Sequence, residues 1–401
     1  MVESALAMGK DFFKKVVTIV SPNEDERKNM LIGIPKEIKN NENRVAVTPA
    51  GVQSFVNRGH EVYIETKAGN GSGISDSVYE EVGARIMDTA EEIYGISDMI
   101  MKVKEPLPQE WPLFKEEQIL FTYLHLAPEP ELTHALLKKK IIGIAYETVQ
   151  LDDGTLPLLT PMSEVAGRMS VQIGAQYLEG PKGGSGILLG GVPGVPPAEV
   201  AIIGGGVVGT NAAKMAIGLG ANVIIVDRNA ERLRYLDDIF GNRIKTLMSN
   251  EFNVAQAVKN ADLLIGAVLI PGAKCPQIVT EQMVKNMKPG SVVIDVAIDQ
   301  GGCIETIDRV TTHSNPVYDK YGVIHYAVAN IPGAVARTST FALTNATLSY
   351  ALNLADYGYE AAVSRDKALQ RGVNILKGKC TCEPVAQSLN LSYQPLKTIL
   401  A

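Results

Sequence analysis

The sequence predicts an α/β protein with two doubly wound parallel-sheet domains separated by a cleft. Three observations support this prediction. Short apolar segments alternate with helix-like stretches from Leu31 onward, which is the pattern of repeated βαβ units. A glycine-rich turn at 204–209 joins an apolar segment to a stretch of small residues. The length of 401 residues exceeds one typical domain, and a hydrophobic content of 46% can fill sizeable cores.

In the first part of the chain, apolar runs predict strands at 31–35, 61–65, 98–104, 118–124 and 141–146. Between the first two, Thr48 and Pro49 have the residue types of an N-cap and a first helical position, and the helix is expected to run to Arg58. Helical or loop stretches separate the remaining strands. This part is therefore expected to form a parallel sheet covered on both faces.

In the middle of the chain, Ser163 is predicted to cap a helix that reaches Tyr177. Residues 180–197 are rich in Gly and Pro and predict a loop or hairpin between domains.

Later strands are expected at 262–268, 291–297 and 324–329, followed by a long helix at 338–357 and a mostly helical tail. If the tail packs back on the first domain, that domain is discontinuous. The predicted units are an appendage at 1–29, a substrate-binding domain at 30–160 and 336–401, and a nucleotide-binding domain at 161–335.

Gly204, Gly206 and Gly209 form a G-x-G-x-x-G pattern between the apolar segment at 199–203 and a helix expected at 211–220. A second buried strand at 221–226 then ends at Asp227. In this order the glycines permit a tight turn, approach of the backbone to a pyrophosphate, and close packing of helix on strand. The pattern predicts a Rossmann dinucleotide-binding domain, and the structural alternative is a glycine-rich turn in another α/β domain.

Asp227 lies where a carboxylate accepts hydrogen bonds from a ribose 2′-hydroxyl and repels a 2′-phosphate. The prediction is therefore NAD rather than NADP as cofactor. The neighbouring Arg228 argues weakly the other way, because an arginine can hold the extra phosphate.

The formal net charge of −6 does not favour binding of nucleic acid or an anionic membrane surface, and no apolar run approaches the ~20 residues of a transmembrane helix. The four cysteines, Cys275, Cys303, Cys380 and Cys382, lack the spacing of a metal site. These features predict a cytoplasmic protein with free thiols and no bound metal.

Four residues near predicted strand ends could do chemistry, because ligands of open α/β sheets collect beyond the carboxyl ends of the strands. They are Arg44, Lys104, His125 and Asp299. Taken singly, each has a structural alternative: a loop charge, an edge-strand charge like Lys102, a core-margin histidine, and a cap. Together they suit an anionic α-keto acid that undergoes proton and hydride transfer.

Several segments closely resemble alanine dehydrogenase, a family that shares its fold with the α-subunit of pyridine nucleotide transhydrogenase. The resemblance spans 30–396 and is carried by residues 33–37 with 41–49, 102–106, 122–127, 162–168, 296–302, 328–330 and 393–395. It implies NAD-dependent interconversion of L-alanine with pyruvate and ammonia in a homohexamer. The appendage at 1–29 departs from the family pattern.

The resemblance also implies roles for individual residues. Arg44 and Lys104 would bind the substrate, His125 would be the general acid/base, and Asp299 would position water or ammonia. The positions implied to line the cofactor site, besides the three glycines, are Ser163, Asp227, Arg232, Ser249, Val268, Leu269, Ile298, Asp299, Val328 and Asn330.

Two other functions remain open from the sequence. One is the soluble NAD(H)-binding component of a proton-translocating transhydrogenase, against which the joint presence of Lys104 and His125 argues. The other is a non-catalytic NAD sensor, which requires the four strand-end residues to be incidental.

Overall fold

A computed structural model describes residues 29–268, 275–298 and 301–400. These residues form two β-sheets with helices on their faces. The predicted α/β class with two doubly wound sheets is confirmed. The appendage predicted at 1–29 lies, apart from Asn29, outside the described residues.

The first sheet has eight strands in the order β15-β14-β6-β5-β4-β1-β2-β3. Strands β1 to β6 are all parallel, and their bounds are β1 Leu31–Ile34, β2 Glu61–Glu65, β3 Arg85–Met87, β4 Met99–Met101, β5 Ile119–Thr122 and β6 Ile142–Ala145. The order reverses direction between β1 and β4. Chain segments that leave these two strands therefore diverge and open a crevice at their carboxyl ends.

The helices of this part connect successive parallel strands or lie beside them. They are α1 Pro49–Val56, α2 Asp76–Glu81, α3 Ala90–Ile96 and α4 Pro130–Lys139. As predicted, Thr48 caps α1, and its hydroxyl accepts a hydrogen bond from the N–H of Gly51 at 3.4 Å. The buried faces of these helices cover a sheet whose central strands are buried along their whole length.

Helices make up most of the described C-terminal tail, as predicted, but the tail also contains two strands that the sequence analysis did not predict. It adds two strands to the first sheet, β14 Val373–Leu376 and β15 Lys379–Cys380, and β14 pairs antiparallel with β6. These strands are only four and two residues long, so they carry too little periodicity to be distinguished from helical segments in the sequence.

The second sheet has seven strands in the order β12-β13-β11-β10-β7-β8-β9. All pairs are parallel except β12 with β13, and the bounds are β7 Glu199–Ile203, β8 Asn222–Asp227, β9 Ile244–Met248, β10 Leu263–Gly266, β11 Val292–Asp295, β12 Val317–Lys320 and β13 Val323–Tyr326. The order reverses between β7 and β10, which places a second crevice beyond the glycine-rich turn.

Helices α5 Thr160–Tyr177 and α6 Val207–Gly218 pack closely against each other. A Cβ at Gly167 would lie 2.2 Å from the carbonyl oxygen of Val208, so only glycine permits this approach. Helix α5 begins at Thr160 with Pro161 in its first turn, so the prediction that Ser163 caps it is wrong. Because proline lacks an N–H and has a suitable φ, it favours a helix start here, and the N-cap is Leu159, four residues before Ser163. Helix α6 likewise begins at Val207, directly after Gly206, rather than at Asn211, so Gly209 lies in its first turn.

The remaining helices are α7 Ala230–Phe240, α8 Glu251–Asn260, α9 Glu281–Lys285, α10 Ala336–Arg365, α11 Lys367–Gly372, α12 Glu383–Ser388 and α13 Leu396–Leu400. Helix α10 begins shortly after the second sheet ends, and Gly358 (φ 72°) interrupts its helical geometry. It contacts both α5 and α1, so it lies against elements from both parts of the chain. Within the described ranges, no helix is both long and apolar enough to cross a membrane.

Candidate active site

The glycine turn between β7 and α6 has the geometry that its sequence predicts. Gly204 has a φ of 103°, a conformation that side chains rarely adopt. A Cβ at Gly209 would lie 1.9 Å from the carbonyl oxygen of Gly204, so this glycine lets α6 pack on the turn. In contrast, a Cβ at Gly206 would meet no atom within 4 Å, which leaves space over the backbone at the start of the helix.

Asp227 and Arg232 hold the turn from the side of β8. Oδ2 of Asp227 accepts a hydrogen bond from the N–H of Gly205 at 2.7 Å, and Oδ1 accepts one from Asn229 at 2.8 Å. Nε of Arg232 donates to the carbonyl of Gly205 at 2.5 Å, and Nη2 donates to Oγ1 of Thr210 at 2.7 Å. These hydrogen bonds of Arg232 therefore stabilise the turn.

A cavity of about 390 Å³ opens at this turn. Six of the residues predicted for the cofactor site line it, namely Ser163, Gly204, Gly206, Asp227, Ser249 and Val268. The start of helix α6 presents backbone N–H groups and the positive end of the helix dipole, and Asp227 lines the same cavity. Open space over Gly206 and a hydrogen-bond acceptor at Asp227 fit the pyrophosphate and ribose of a dinucleotide.

The other predicted cofactor positions lie elsewhere or outside the described residues. Gly209 and Arg232 are not among the lining residues. Ile298 and Val328 are buried beyond β11 and β13, and Asn330 contacts Arg44 and Glu42, as described below. Leu269 and Asp299 lie outside the described residues.

Arg44 follows β1 and is buried, with only 2% of its surface exposed. Its Nε and Nη2 bind both carboxylate oxygens of Glu42, at 2.7 and 2.5 Å. Nη2 also donates to Oδ1 of Asn330 at 3.0 Å, and Nη1 contacts Sδ of Met162 on α5 at 3.1 Å. The guanidinium thus joins the first sheet's loop to two elements of the second part of the chain.

This ion pair keeps both partners charged although it is buried. Burial opposes ionisation, but the hydrogen bonds and charge of Arg44 hold the pKa of Glu42 below its ordinary value. Burial would also lower the pKa of Arg44, but Glu42 raises it instead. Nδ2 of Asn330 donates to Oε2 of Glu42 at 3.0 Å and completes a three-residue network. The network fixes the orientation of the guanidinium, and Nη1, which contacts the sulfur of Met162, is its nitrogen without an oxygen partner among the described residues.

Lys104 lies three residues beyond β4, which ends at Met101, so the prediction that Lys104 ends the strand is wrong. Buried Glu37 fixes this segment, because its Oε1 accepts hydrogen bonds from the N–H groups of Val103 at 2.6 Å and Lys104 at 3.3 Å. Among the residues that the structure describes, no ion pair or hydrogen bond engages the ammonium group of Lys104. The backbone of Lys104 is therefore fixed, while its ammonium group is available to contact a ligand.

Lys102 is not the edge-strand charge that its sequence position indicates. β4 is a central strand, and the side chain of Lys102 is fully buried. Its Nζ lies 3.2 Å from Oε2 of Glu37 and 2.9 Å from Oε1 of Glu110. These two carboxylates raise the pKa of Lys102 despite the opposing effect of burial. The ion pairs anchor Glu37, and through it the segment that carries Lys104.

His125 lies in the loop three residues beyond β5, with a φ of 48° in the left-handed region. Oε1 of Glu147 accepts hydrogen bonds from the N–H groups of His125 at 2.7 Å and Leu124 at 3.1 Å, which holds this uncommon backbone conformation. The ring nitrogen Nδ1 lies 3.1 Å from Oε2 of Glu105. About a third of the His125 side chain is exposed, whereas Glu105 is nearly buried.

Tyr123 links the histidine to Arg44. Its ring stacks on that of His125 with 5.9 Å between centroids, and the charge of Arg44 acts on its hydroxyl. The charge of Lys104 acts in turn on Glu105, the partner of His125. The structure therefore brings Arg44, Lys104 and His125 to one end of the first sheet, beyond β1, β4 and β5.

Several residues of this site are missing from the sequence prediction. Glu42, Glu105, Glu147 and Met162 contact the predicted residues, and Thr155, Leu156 and Thr160 line the cavity. The adjacency of Glu105 to Lys104 was a usable signal, because a carboxylate next to a strand-end cation is a candidate partner. Within the described residues, no group of three or more His, Cys, Asp or Glu side chains is placed to hold a metal ion.

Comparisons with known proteins agree with the geometry. The family model described as "Alanine dehydrogenase/PNT, N-terminal domain" matches residues 33–166, and the corresponding C-terminal domain model matches 170–383. Alanine dehydrogenase from Methanococcus maripaludis is 68% identical over 92% of this chain and 100% of its own length. The enzyme of the same name from Bacillus subtilis is 62% identical over 92% of this chain and 98% of its own.

Solved structures show the same relationship. A structure named L-alanine dehydrogenase has a TM-score of 0.87 and 50% identity, and covers 93% of this chain and 100% of its own. A transhydrogenase from Sinorhizobium meliloti has a TM-score of 0.74 at 24% identity over 88% of this chain and 99% of its own, which shows a shared fold. Matching family models across most of the chain, together with identities well above 50% to named relatives, establish that the chain belongs to the alanine dehydrogenase/PNT family.

Proposed function

We propose that this protein catalyses the reversible, NAD-dependent oxidative deamination of L-alanine to pyruvate and ammonia. The observation that carries the proposal is one site in which Arg44 contacts both sheets' loops while His125 and Lys104 lie at the same sheet end. A bare dinucleotide-binding protein needs the cavity at the glycine turn but has no use for these three residues. An α-amino acid dehydrogenase needs all of them.

The preference for NAD over NADP rests on Asp227. Its carboxylate lines the cavity and already accepts two backbone hydrogen bonds, so it is held in place as an acceptor. A 2′-phosphate at this position would face a negative charge, whereas a 2′-hydroxyl can donate to it. When bound, the nicotinamide accepts the hydride that leaves Cα of alanine.

Arg44 and Lys104 are proposed to bind the substrate. The guanidinium of Arg44 is fixed by Glu42 and Asn330, so it can hold the substrate carboxylate without first losing side-chain freedom. Lys104 supplies a second cation, which polarises the keto oxygen in the aminating direction. Both contacts need a water-excluded cleft, and closure of the two parts around the substrate is expected.

His125 is proposed to transfer protons. In deamination it takes a proton from water as the water oxygen bonds to the substrate iminium carbon, and the resulting carbinolamine releases ammonia to give pyruvate. Asp299 is proposed to position the water or ammonia. Replacement of Asp299 by Asn keeps the size and removes the charge, and it is expected to lower kcat and alter the pH profile of turnover.

The organisation of the protein is also proposed. The substrate-binding domain would comprise 30–160 and 336–401, and the nucleotide-binding domain 161–335. A cytoplasmic homohexamer is proposed by analogy with the family. Sedimentation of the purified protein at a mass six times that of the chain would support the oligomer, and a dimeric or monomeric mass would contradict it.

The decisive test is alanine-dependent reduction of NAD by the purified chain, followed by the absorbance of the reduced nicotinamide. Turnover with L-alanine, absent with D-alanine and lowered roughly 10²–10⁴-fold in His125→Ala, supports the proposal. Binding of NADH without any turnover of small L-amino acids would overturn it. That result would favour the transhydrogenase component or the NAD sensor.

A further inference from the structure

His125 is held by one side of its ring. Nδ1 lies 3.1 Å from Oε2 of Glu105, while Nε2 has no hydrogen-bond partner among the described residues. Glu147 contacts only the backbone N–H of His125, and Tyr123 contacts only the face of the ring. Glu105 is therefore the group that can decide which ring nitrogen carries the proton.

Glu105 is ionised in this site. Burial would raise its pKa, but the hydrogen bond and charge of His125, the charge of Lys104 and the hydrogen bond with Lys39 outweigh burial and hold the pKa well below its ordinary value. Lys39 contacts the other carboxylate oxygen, Oε1, directly. An ionised carboxylate can only accept hydrogen bonds, so the contact with His125 requires the proton on Nδ1.

The protonation of Nδ1 determines the state of the other ring nitrogen, Nε2. When His125 is neutral and Nδ1 carries its proton, Nε2 has a free lone pair. We propose that Glu105 is the positioning residue of His125, selecting this tautomer and orienting the ring so that Nε2 transfers the proton. This inference rests on the proposed function, and it adds the atom that reacts and the residue that sets it.

His125 accepts the proton that water releases in this step. As the water oxygen bonds to the substrate iminium carbon, one O–H bond breaks and its proton moves to Nε2. The imidazolium then carries protons on both nitrogens, and the negative charge of Glu105 stabilises it. In the reverse direction Nε2 returns the proton to the departing hydroxyl, and neutral His125 remains in the same tautomer.

The alternative is that Glu105 serves only as the partner of Lys39. The Lys39 side chain is 41% exposed, so this ion pair contributes little stability. A double-mutant cycle separates the two roles, with Glu105→Gln, His125→Ala and the double variant as its members. The control is Glu116→Gln, because Glu116 is an exposed glutamate paired with Lys140 at 2.7 Å.

If Glu105 acts through His125, Glu105→Gln lowers kcat by roughly 10²-fold or more, since the amide can donate to Nδ1 and favour the wrong tautomer. The KM for pyruvate and the affinity for NADH change little. In the His125→Ala background the same substitution causes no further loss of kcat. Independent, multiplicative losses, or wild-type kcat in Glu105→Gln, would overturn the proposal.

A second measurement does not depend on turnover. Diethyl pyrocarbonate modifies unprotonated histidine, and peptide mass spectrometry can isolate His125 among the five histidines of the chain. Glu105→Gln is expected to change the rate at which His125 is modified at a fixed pH, because the carboxylate no longer fixes the proton on Nδ1 and leaves Nε2 with a free lone pair. The same rate in the wild type and in Glu105→Gln would contradict the pairing. A changed rate in a protein without alanine turnover would keep the pairing and reject the proposed function.

Discussion

Nη2 of Arg44 donates a hydrogen bond to Oδ1 of Asn330 at 3.0 Å, although 286 residues separate the two in sequence. Arg44 follows the first strand of one sheet, and Asn330 follows the last parallel strand of the other. The proposed substrate anchor is thus built from both halves of the molecule. Relative movement of the halves would change the environment of the guanidinium.

Arg44→Met and Lys104→Met are both expected to cripple turnover or raise the KM for pyruvate, while NADH binding followed by fluorescence stays nearly intact. Their stabilities should differ. Loss of Arg44 leaves the carboxylate of Glu42 buried without its cation, which costs roughly 3–5 kcal/mol and lowers the thermal midpoint. Lys104→Met leaves no buried carboxylate without a cation, so this variant should keep the wild-type thermal midpoint. Loss of NADH binding in Lys104→Met would place this lysine in the cofactor site instead.

Asp227→Ala is expected to weaken NAD binding by roughly 10–100-fold, because a hydrogen bond to a charged acceptor is lost. Relative use of NADP should improve, since the repulsion of a 2′-phosphate disappears. The ratio of kcat/KM for the two cofactors measures this change directly. An unchanged ratio would show that Asp227 serves only the backbone of Gly205 and Asn229.

Gly206→Ala and Gly209→Ala form a matched pair. A Cβ at position 206 meets no protein atom, so this variant should keep its thermal midpoint yet lose NAD affinity about tenfold or more, because the methyl group occupies the pyrophosphate's approach. A Cβ at position 209 lies 1.9 Å from a backbone oxygen, so this variant should lose about 1–3 kcal/mol of stability. Wild-type NAD affinity in Gly206→Ala would contradict the assignment.

Asp295 gives a pH-dependent contribution to stability. Burial raises its pKa to about 6, although the N–H groups of Ala297, Cys303 and Ile304 favour the ionised form. At pH values between the ordinary pKa of an aspartate and this raised value, Asp295 binds more protons in the folded protein than in the unfolded chain. The contribution of Asp295 to the free energy of unfolding therefore falls as the pH rises. Relative to wild type, Asp295→Asn should be more stable at pH 7 than at pH 5 by roughly 1 kcal/mol. The thermal midpoints at the two pH values test the sign, and a constant difference would contradict it.

A chain that starts at Met30 is expected to fold and retain wild-type turnover. Residues 1–29 precede the first strand of the sheet and include none of the proposed site residues. The measurement is kcat with L-alanine together with the sedimented mass. A soluble but inactive truncation would show that the appendage completes the site or the oligomer.

The features that the sequence predicts well are contiguous. The glycine turn, its flanking strand and helix, and the acid at the end of β8 all lie between 199 and 227, so local spacing alone identifies them. Arg44, Lys104 and His125 were predicted for a different reason. Parallel sheets bring the carboxyl ends of their strands together, so polar residues near those ends become neighbours.

The missed features depend on contacts distant in sequence. Nothing local pairs Arg44 with Asn330, and Glu105 and His125 are 20 residues apart on segments that follow different strands. Lys102 shows why. A lysine is normally predicted to be exposed, and its burial here depends on ion pairs with two buried carboxylates that are distant in sequence. Ser163 was misassigned as a cap because the preceding Pro161 gives a stronger start signal.

The antiparallel strand β14 has a consequence for biosynthesis. It covers the edge of β6, yet more than two hundred residues, including every strand of the second sheet, must be translated between the two. A growing polypeptide therefore completes its nucleotide-binding half while the first sheet still offers unpaired backbone groups to neighbouring chains. Polypeptides released before residue 373 would keep that open edge, and they are the species that chaperones and proteases would have to manage.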